Sequence, residues 1–151
     1  MAPARLAPLH ARALAERREW KRLVDRYLNP GLDDAQARAS VLVHVAQALL
    51  QLDRAEEARG VLDKALVAVP GHVGAEVALA RIEASTGSPD AAMRRVYALL
   101  AGKASDDAWR LKGDLEALHR KNPSAARKAY EKAAELGPKS VDSQRALITH
   151  L

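Results

Sequence analysis

Apolar residues recur along this chain at intervals of three and four, the spacing that lines up one face of an α-helix. The clearest run starts at Val41 and passes through Leu42, Val45, Ala46, Leu49 and Leu50. It breaks at Leu52-Asp53. A second run holds Ala55, Ala58, Val61, Leu62, Ala65, Leu66 and Val69, and Pro70-Gly71 stop it. Asp53 and Glu56 have capping-box spacing, so Asp53 is expected to start the second helix. No segment sustains the period-two alternation of a half-buried strand.

The pattern continues to the far end. A helix over 73–86 carries Val77, Leu79, Ala80 and Ile82 and ends near Gly87. Ser88 then suits an N-cap, with Pro89 at the first helical position, where its missing N–H costs nothing. A helix over 89–101 carries Ala92, Val96, Leu99 and Leu100, and one over 105–120 carries Trp109, Leu111, Leu115 and Leu118. Asn122-Pro123 is a second cap-then-proline start. It opens a helix over 123–136 with Ala126, Ala129, Tyr130, Ala133 and Leu136, which Gly137-Pro138 end. Ser140 opens a last helix with Val141, Leu147, Ile148 and Leu151.

These helices come in pairs that repeat. Ala58, Ala92 and Ala126 stand 34 residues apart, as do Leu62, Val96 and Tyr130. A fixed period of this length with two helices per unit signals a solenoid. One hairpin cannot bury its apolar face alone, so the units must stack. Small residues at Ala46, Ala58, Ala80, Ala92, Gly113 and Ala126 would let the two helices of a hairpin touch. Leu62, Val96 and Tyr130 would plug the joint to the next unit.

The repeats resemble tetratricopeptide repeats. The fullest match is Trp109-x-x-Lys112-Gly113, then Ala126, Tyr130, Ala133 and Pro138, with Lys112 where Leu is usual and one extra residue near Lys121-Asn122. Leu42, Val45-Ala46, Leu49, Ala58, Leu62, Ala65 and Pro70 match without insertion. Leu79-Ala80, Gly87, Ala92, Val96 and Leu99 match more weakly, with Ala104 where Pro would fall. Residues 5–28 resemble a degenerate first repeat (Glu19-Trp20, Leu23, Tyr27), joined on by the loop Asn29 to Asp34. The expected fold is an all-α, right-handed α-solenoid of stacked antiparallel helix hairpins, about four pairs plus a final helix. It forms one domain over 1–151, with repeats at 5–28, 38–70, 73–104 and 105–138 and a final helix at 140–151.

A narrower likeness lies in the degenerate repeat and Pro/Gly/Asp loop followed by Ala37-Arg-Ala-Ser-Val-Leu42, in Trp109 to Glu116, and in Pro138-Lys-Ser-Val141. These resemble the PEP-CTERM-system TPR-repeat lipoproteins (the PrsT type), which implies a piece of a longer envelope protein linked to protein sorting and exopolysaccharide assembly. Its place would then be periplasmic or attached to the outer membrane, and otherwise cytoplasmic.

Composition narrows the chemistry. The chain has 151 residues, is 48 % hydrophobic and contains no Phe and no Cys, so disulfides, thiolate metal sites and Cys nucleophiles are excluded. The apolar residues are mostly Ala, Leu and Val, which suits thin, close-packed helices. No apolar run nears the length of a membrane span. Of the net charge of +5, residues 1–28 carry +4, so no basic stripe runs along the molecule.

His10, His44, His72, His119 and His150 fall on different units, and none has metal-ligand spacing to another ligand type. His72, just after Pro70-Gly71, reads as a surface turn residue. Asp33-Asp34 and Asp106-Asp107 sit at helix starts, where the helix dipole explains them. Trp20 and Trp109 read as repeat-core anchors rather than stacking platforms. No nucleophile motif or phosphate loop is present, so neither a cofactor, a metal, a small-molecule substrate nor an enzymatic activity is expected.

What remains is a surface. The tetratricopeptide resemblance puts the first helix of each pair along a concave groove, placing Val43, Gln47, Leu50 and Gln51 there from one unit, Val77, Arg81 and Ala84 from the next, and Arg110, Asp114 and Ala117 from the last. The Lys/Asn set that clamps a C-terminal carboxylate in some members is absent, though Arg81 and Arg110 could hold an acidic group bidentately. The expected function is a non-catalytic interaction module or scaffold that binds a protein or peptide segment. A structural spacer that self-associates through Leu147, Ile148 and Leu151 is the alternative. Nucleic-acid binding through the basic residues 5–26, with stacking by Trp20 and Tyr27, ranks below it.

Overall fold

The computed structural model describes residues 5–102 and 105–150. Every regular element among them is an α-helix: α1 Ala7–Glu16, α2 Trp20–Tyr27, α3 Ala35–Gln51, α4 Ala55–Ala68, α5 Val73–Ser85, α6 Pro89–Ala101, α7 Asp106–Leu118, α8 Pro123–Leu136 and α9 Val141–Thr149. The all-α reading and the hairpin order therefore hold. Ala104 and Leu151 lie outside the described residues. By its contacts the chain divides after Leu79, within α5, into two compact units.

In the first unit α3 is the central helix, and α1, α2 and α4 all pack on it. That is why its buried positions run almost all round: Ala39, Val41, Leu42, Val45, Ala46, Ala48 and Leu49. Ala58, Leu62 and Ala65 of α4 are fully buried, as are Ala11 of α1 and Leu23 of α2. The Tyr27 hydroxyl and His10 Nδ1 are 2.7 Å apart, and the two rings meet edge to face, tying α2 to α1.

In the second unit α7 plays the same central part, packed by α6, α8 and α9. Ala92 and Val96 of α6, Ala108 and Leu111 of α7, and Ala126, Ala129, Tyr130 and Ala133 of α8 form its core. Arg95 of α6 binds Glu83 of α5 through two N–H···O bonds of 3.1 and 2.7 Å. The small positions expected at the helix crossings and the plugs expected at Leu62, Val96 and Tyr130 are all buried.

The turns inside the hairpins repeat at the level of the backbone. Arg18, Asp53, Gly87 and Lys121 all have positive φ, between 53° and 93°. After each, an N–H reaches back to the preceding helix: Glu19 to the Leu14 carbonyl, Arg54 to Leu49, Ser88 to Glu83 and Asn122 to Glu116, at 2.8–2.9 Å. This is the left-handed C-cap that lets a helix end in one residue and turn back. The last of the four spans one residue more than the others, and this is the extra residue of the sequence pattern.

Three helix starts differ from expectation. Asp53 is not the N-cap of α4: it is the left-handed residue that ends α3, and Arg54 takes the cap position without a side-chain cap bond. The Arg54 guanidinium bonds Glu57 instead. Ser88 does hold the cap position of α6, but its hydroxyl accepts no backbone N–H. α3 begins at Ala35, before the first apolar positions of its stripe, because the Asp34 carboxylate accepts the Ala37 N–H at 2.8 Å. Ser105, Asn122 and Ser140 cap α7, α8 and α9 through their side chains.

Candidate functional site

The expected groove residues fall on α3, α5 and α7. On α3, Gln47 and Gln51 are exposed, and Val43 and Leu50 are half-buried. On α5, Val77 is buried, so its side chain offers little to a ligand, whereas Arg81 is exposed and Ala84 half-buried. On α7, Arg110, Asp114 and Ala117 are all half-buried.

The second unit brings three of these together. Arg81 of α5 donates from Nη1 to Oδ2 of Asp114 on α7, at 3.2 Å. The other carboxylate oxygen of Asp114 accepts the Tyr130 hydroxyl of α8, at 2.7 Å. Burial, then the bond to Asp114, push the Tyr130 phenol well above its ordinary range, so it stays a donor. Arg81, Ala84 and Asp114 line a pocket of about 200 Å³ together with Ser85, Leu111, Leu115, Leu118 and His119. Its floor is the buried pair Leu111 and Leu115. Leu118 on its rim is 70 % exposed.

Arg110 is differently placed. Its Nη2 donates to Asp107 at 2.6 Å, and its Nη1 lies 3.4 Å from the Ser143 hydroxyl and 4.0 Å from Asp106. Ser143 is fully buried and donates to Asp106 at 2.9 Å, which pins α9 to the start of α7. Arg110 is thus spent on structure. The acidic pair Asp106-Asp107, read from sequence as dipole partners, also holds this joint.

Candidate chemistry elsewhere resolves into structure. His72 is more than a surface turn residue. Its Nδ1 accepts the Ala75 N–H at 3.2 Å, so it caps α5, and burial lowers its pKa below the ordinary 6.5. His44 is lowered also, chiefly by burial. Trp109 is half-buried, with Lys112 Nζ 5.8 Å from its ring centre, as suits a repeat anchor. In the basic first segment, Arg12 pairs with Glu16 and Arg22 with Glu19. Among the described residues, no three His, Asp or Glu side chains converge as metal ligands, and no helix is long and apolar enough to cross a membrane.

No protein-family model and no curated protein matches the chain. Solved structures do. A thermophilic TPR protein of Thermus thermophilus superposes with a TM-score of 0.67 over 99 % of this chain and 81 % of that one, at 20 % identity. The fold is that of the tetratricopeptide-repeat proteins. A tetratricopeptide repeat protein from Parabacteroides merdae superposes at 0.50 over 99 % of this chain and 71 % of its own length, at 14 % identity. At these identities the TPR likeness is one of fold.

The Arg81–Asp114 pair was open to sequence reasoning. The two residues stand 33 apart, one repeat, so they occupy like positions on successive first helices. The Tyr130 bond that completes the chain of contacts, and the use of Arg110 by Asp107, depend on side-chain directions that periodicity does not give.

Proposed function

We propose that this protein is a non-catalytic interaction module that binds a peptide or helical segment of a partner protein at the α5–α7 pocket of its second unit. The observation that carries the reading is the α5–α7 pocket, which has an apolar floor, an exposed leucine on its rim and an ion pair beside it. A preformed concave site with few polar groups holds a segment by apolar burial, and the polar groups fix its orientation. In the first unit, taken by itself, Val43, Gln47, Leu50 and Gln51 of α3 are the proposed binding residues.

A photo-crosslinking side chain placed at Leu118 tests this, with a second at Val67, which is 84 % exposed on the second helix of its hairpin. The reading expects partner adducts from Leu118 and none from Val67. Equal adducts from both positions, or none from Leu118, would overturn it. The likeness of residues 109–116 and 138–141 to envelope lipoproteins supports a setting in envelope protein sorting; fractionation of the source cells checks that setting.

A second reading is self-association through α9. Val141 and Ile148 are 66 % and 70 % exposed, and with Pro138 and Gln144 they border a cleft of about 390 Å³. Leu147 is half-buried and contributes less than its place in the sequence suggested. Sedimentation velocity at high concentration should then show a dimer that Ile148→Asp dissolves, and a monomer at all concentrations would remove this reading.

A further inference from the structure

The two arginines that could hold an acidic group have parted. Arg110 is bound to Asp107 and faces Ser143 and Asp106. Arg81 is bound once, through Nη1, to Asp114. A guanidinium has five N–H donors, so most of those on Arg81 remain free at the mouth of the pocket. Both oxygens of Asp114 are already engaged, one by the Tyr130 hydroxyl and the other by Arg81, so the donors that Arg81 does not spend on Asp114 are left for an incoming acceptor. Beneath this pair the pocket is apolar. Its volume of about 200 Å³ equals that of about seven water molecules, which accommodates the branched end of a leucine.

We propose that the α5–α7 pocket takes a leucine-like side chain from a partner helix whose neighbouring turn carries a carboxylate, and that Arg81 grips that carboxylate. The proposal rests on the reading of this face as the binding face and names the chemistry of its ligand. Two features select this occupant. A helical turn brings residues four apart to the same side, matching an apolar floor with a charged rim. A basic segment is disfavoured, since it would meet the Arg81 guanidinium at the mouth of the pocket, and the one carboxylate on the lining already accepts a bond at each oxygen.

Two synthetic helical peptides test it. Both carry Leu on one face, and four residues on one carries Glu and the other Gln. Affinity is read by fluorescence anisotropy, and the site by backbone amide shifts of nitrogen-15-labelled protein. The Glu peptide should bind about tenfold tighter or better, the worth of a charge-assisted bond at a partly shielded site. Both peptides should move the amides of Ala84, Leu115 and Leu118. Arg81→Gln should bring the Glu peptide down to the affinity of the Gln peptide.

The comparison of the two peptides on the unaltered protein needs no variant to fold. Equal affinities with shifts at the pocket would overturn the carboxylate grip and leave the interaction face standing. Shifts elsewhere, or no binding by either peptide, would overturn both. A single-stranded oligonucleotide that moves the same amides more tightly than the Glu peptide would replace the acidic helix by a phosphate backbone, against the proposal.

Discussion

The ring of Tyr130 lies directly against the Cα of Gly113. A Cβ at position 113 would stand 2.6 Å from Tyr130 Cε1 and 2.8 Å from Cδ1 and Cζ. The ring cannot retreat freely, since its hydroxyl is bonded to Asp114 and its other surroundings include a stacked His150 at 4.5 Å. Gly113→Ala should therefore destabilise, by about 1–3 kcal/mol for overpacking, partly offset by the better helix propensity of Ala. Gly60, inside α4, has nothing within 4 Å of its built Cβ. Gly60→Ala should instead stabilise by up to about 1 kcal/mol. Urea titrations of the two variants should give opposite shifts in midpoint.

Ala58 makes the matching test in the first unit. It is fully buried on α4, the helix that packs along α3. Ala58→Leu adds three carbons where no space exists, at a cost of roughly 1–3 kcal/mol. A thermal melt unchanged by this substitution would count against the close crossing of α3 and α4.

The left-handed turns supply a third prediction. Arg18 and Lys121 carry side chains at φ of 58° and 53°, where only glycine is free of Cβ strain. Lys121→Gly should stabilise by about 1 kcal/mol or slightly less, since relief of strain exceeds the added freedom of the unfolded chain. Gly87, at φ 93°, should show the reverse, with Gly87→Ala losing about 1 kcal/mol or more. Denaturant midpoints of both variants read these signs.

The His72 cap is pH-sensitive. Its Nδ1 can accept the Ala75 N–H only while the ring is neutral, and burial favours that neutral form. A folded pKa below 6.5 means the unfolded chain binds protons first. The contribution is therefore complete above about pH 6.5 and is lost as pH falls through the folded value. His44 is shifted the same way and adds to the effect. His72→Ser keeps a capping oxygen that does not titrate, so stability measured from pH 7 to 5 should fall less steeply in the variant. Equal slopes would show that the cap bond contributes nothing.

Some of this is legible in the chain alone. The three-and-four spacing from Val41 to Val69 forces an amphipathic hairpin, and the 34-residue return of Ala58, Ala92 and Ala126 forces the same hairpin again. Small residues are needed where helices touch, so Gly113 marks by size alone where α7 meets Tyr130 of α8. The cap positions were less legible. Asp53 has the composition of an N-cap, yet it ends α3, because Asp is also among the few residues that tolerate the left-handed turn. His72 carries no capping signature at all, since an imidazole is an acceptor only in the tautomer that its surroundings select.

By itself the sequence determined what depends on periodicity and residue size: an all-helical chain, its pairing into hairpins, the buried stripe of each helix and the burial of Leu62, Val96 and Tyr130. These follow from burying a regular apolar face and from local backbone preference. Tertiary structure alone decided which charged groups remain available. Arg81 and Arg110 are indistinguishable as letters on exposed helix faces, but α9 places Ser143 beside the Arg110 cluster while Arg81 keeps most of its donors at the mouth of the α5–α7 pocket. Ion pairing is fixed by side-chain direction over a few ångströms, and a helical period says nothing about that.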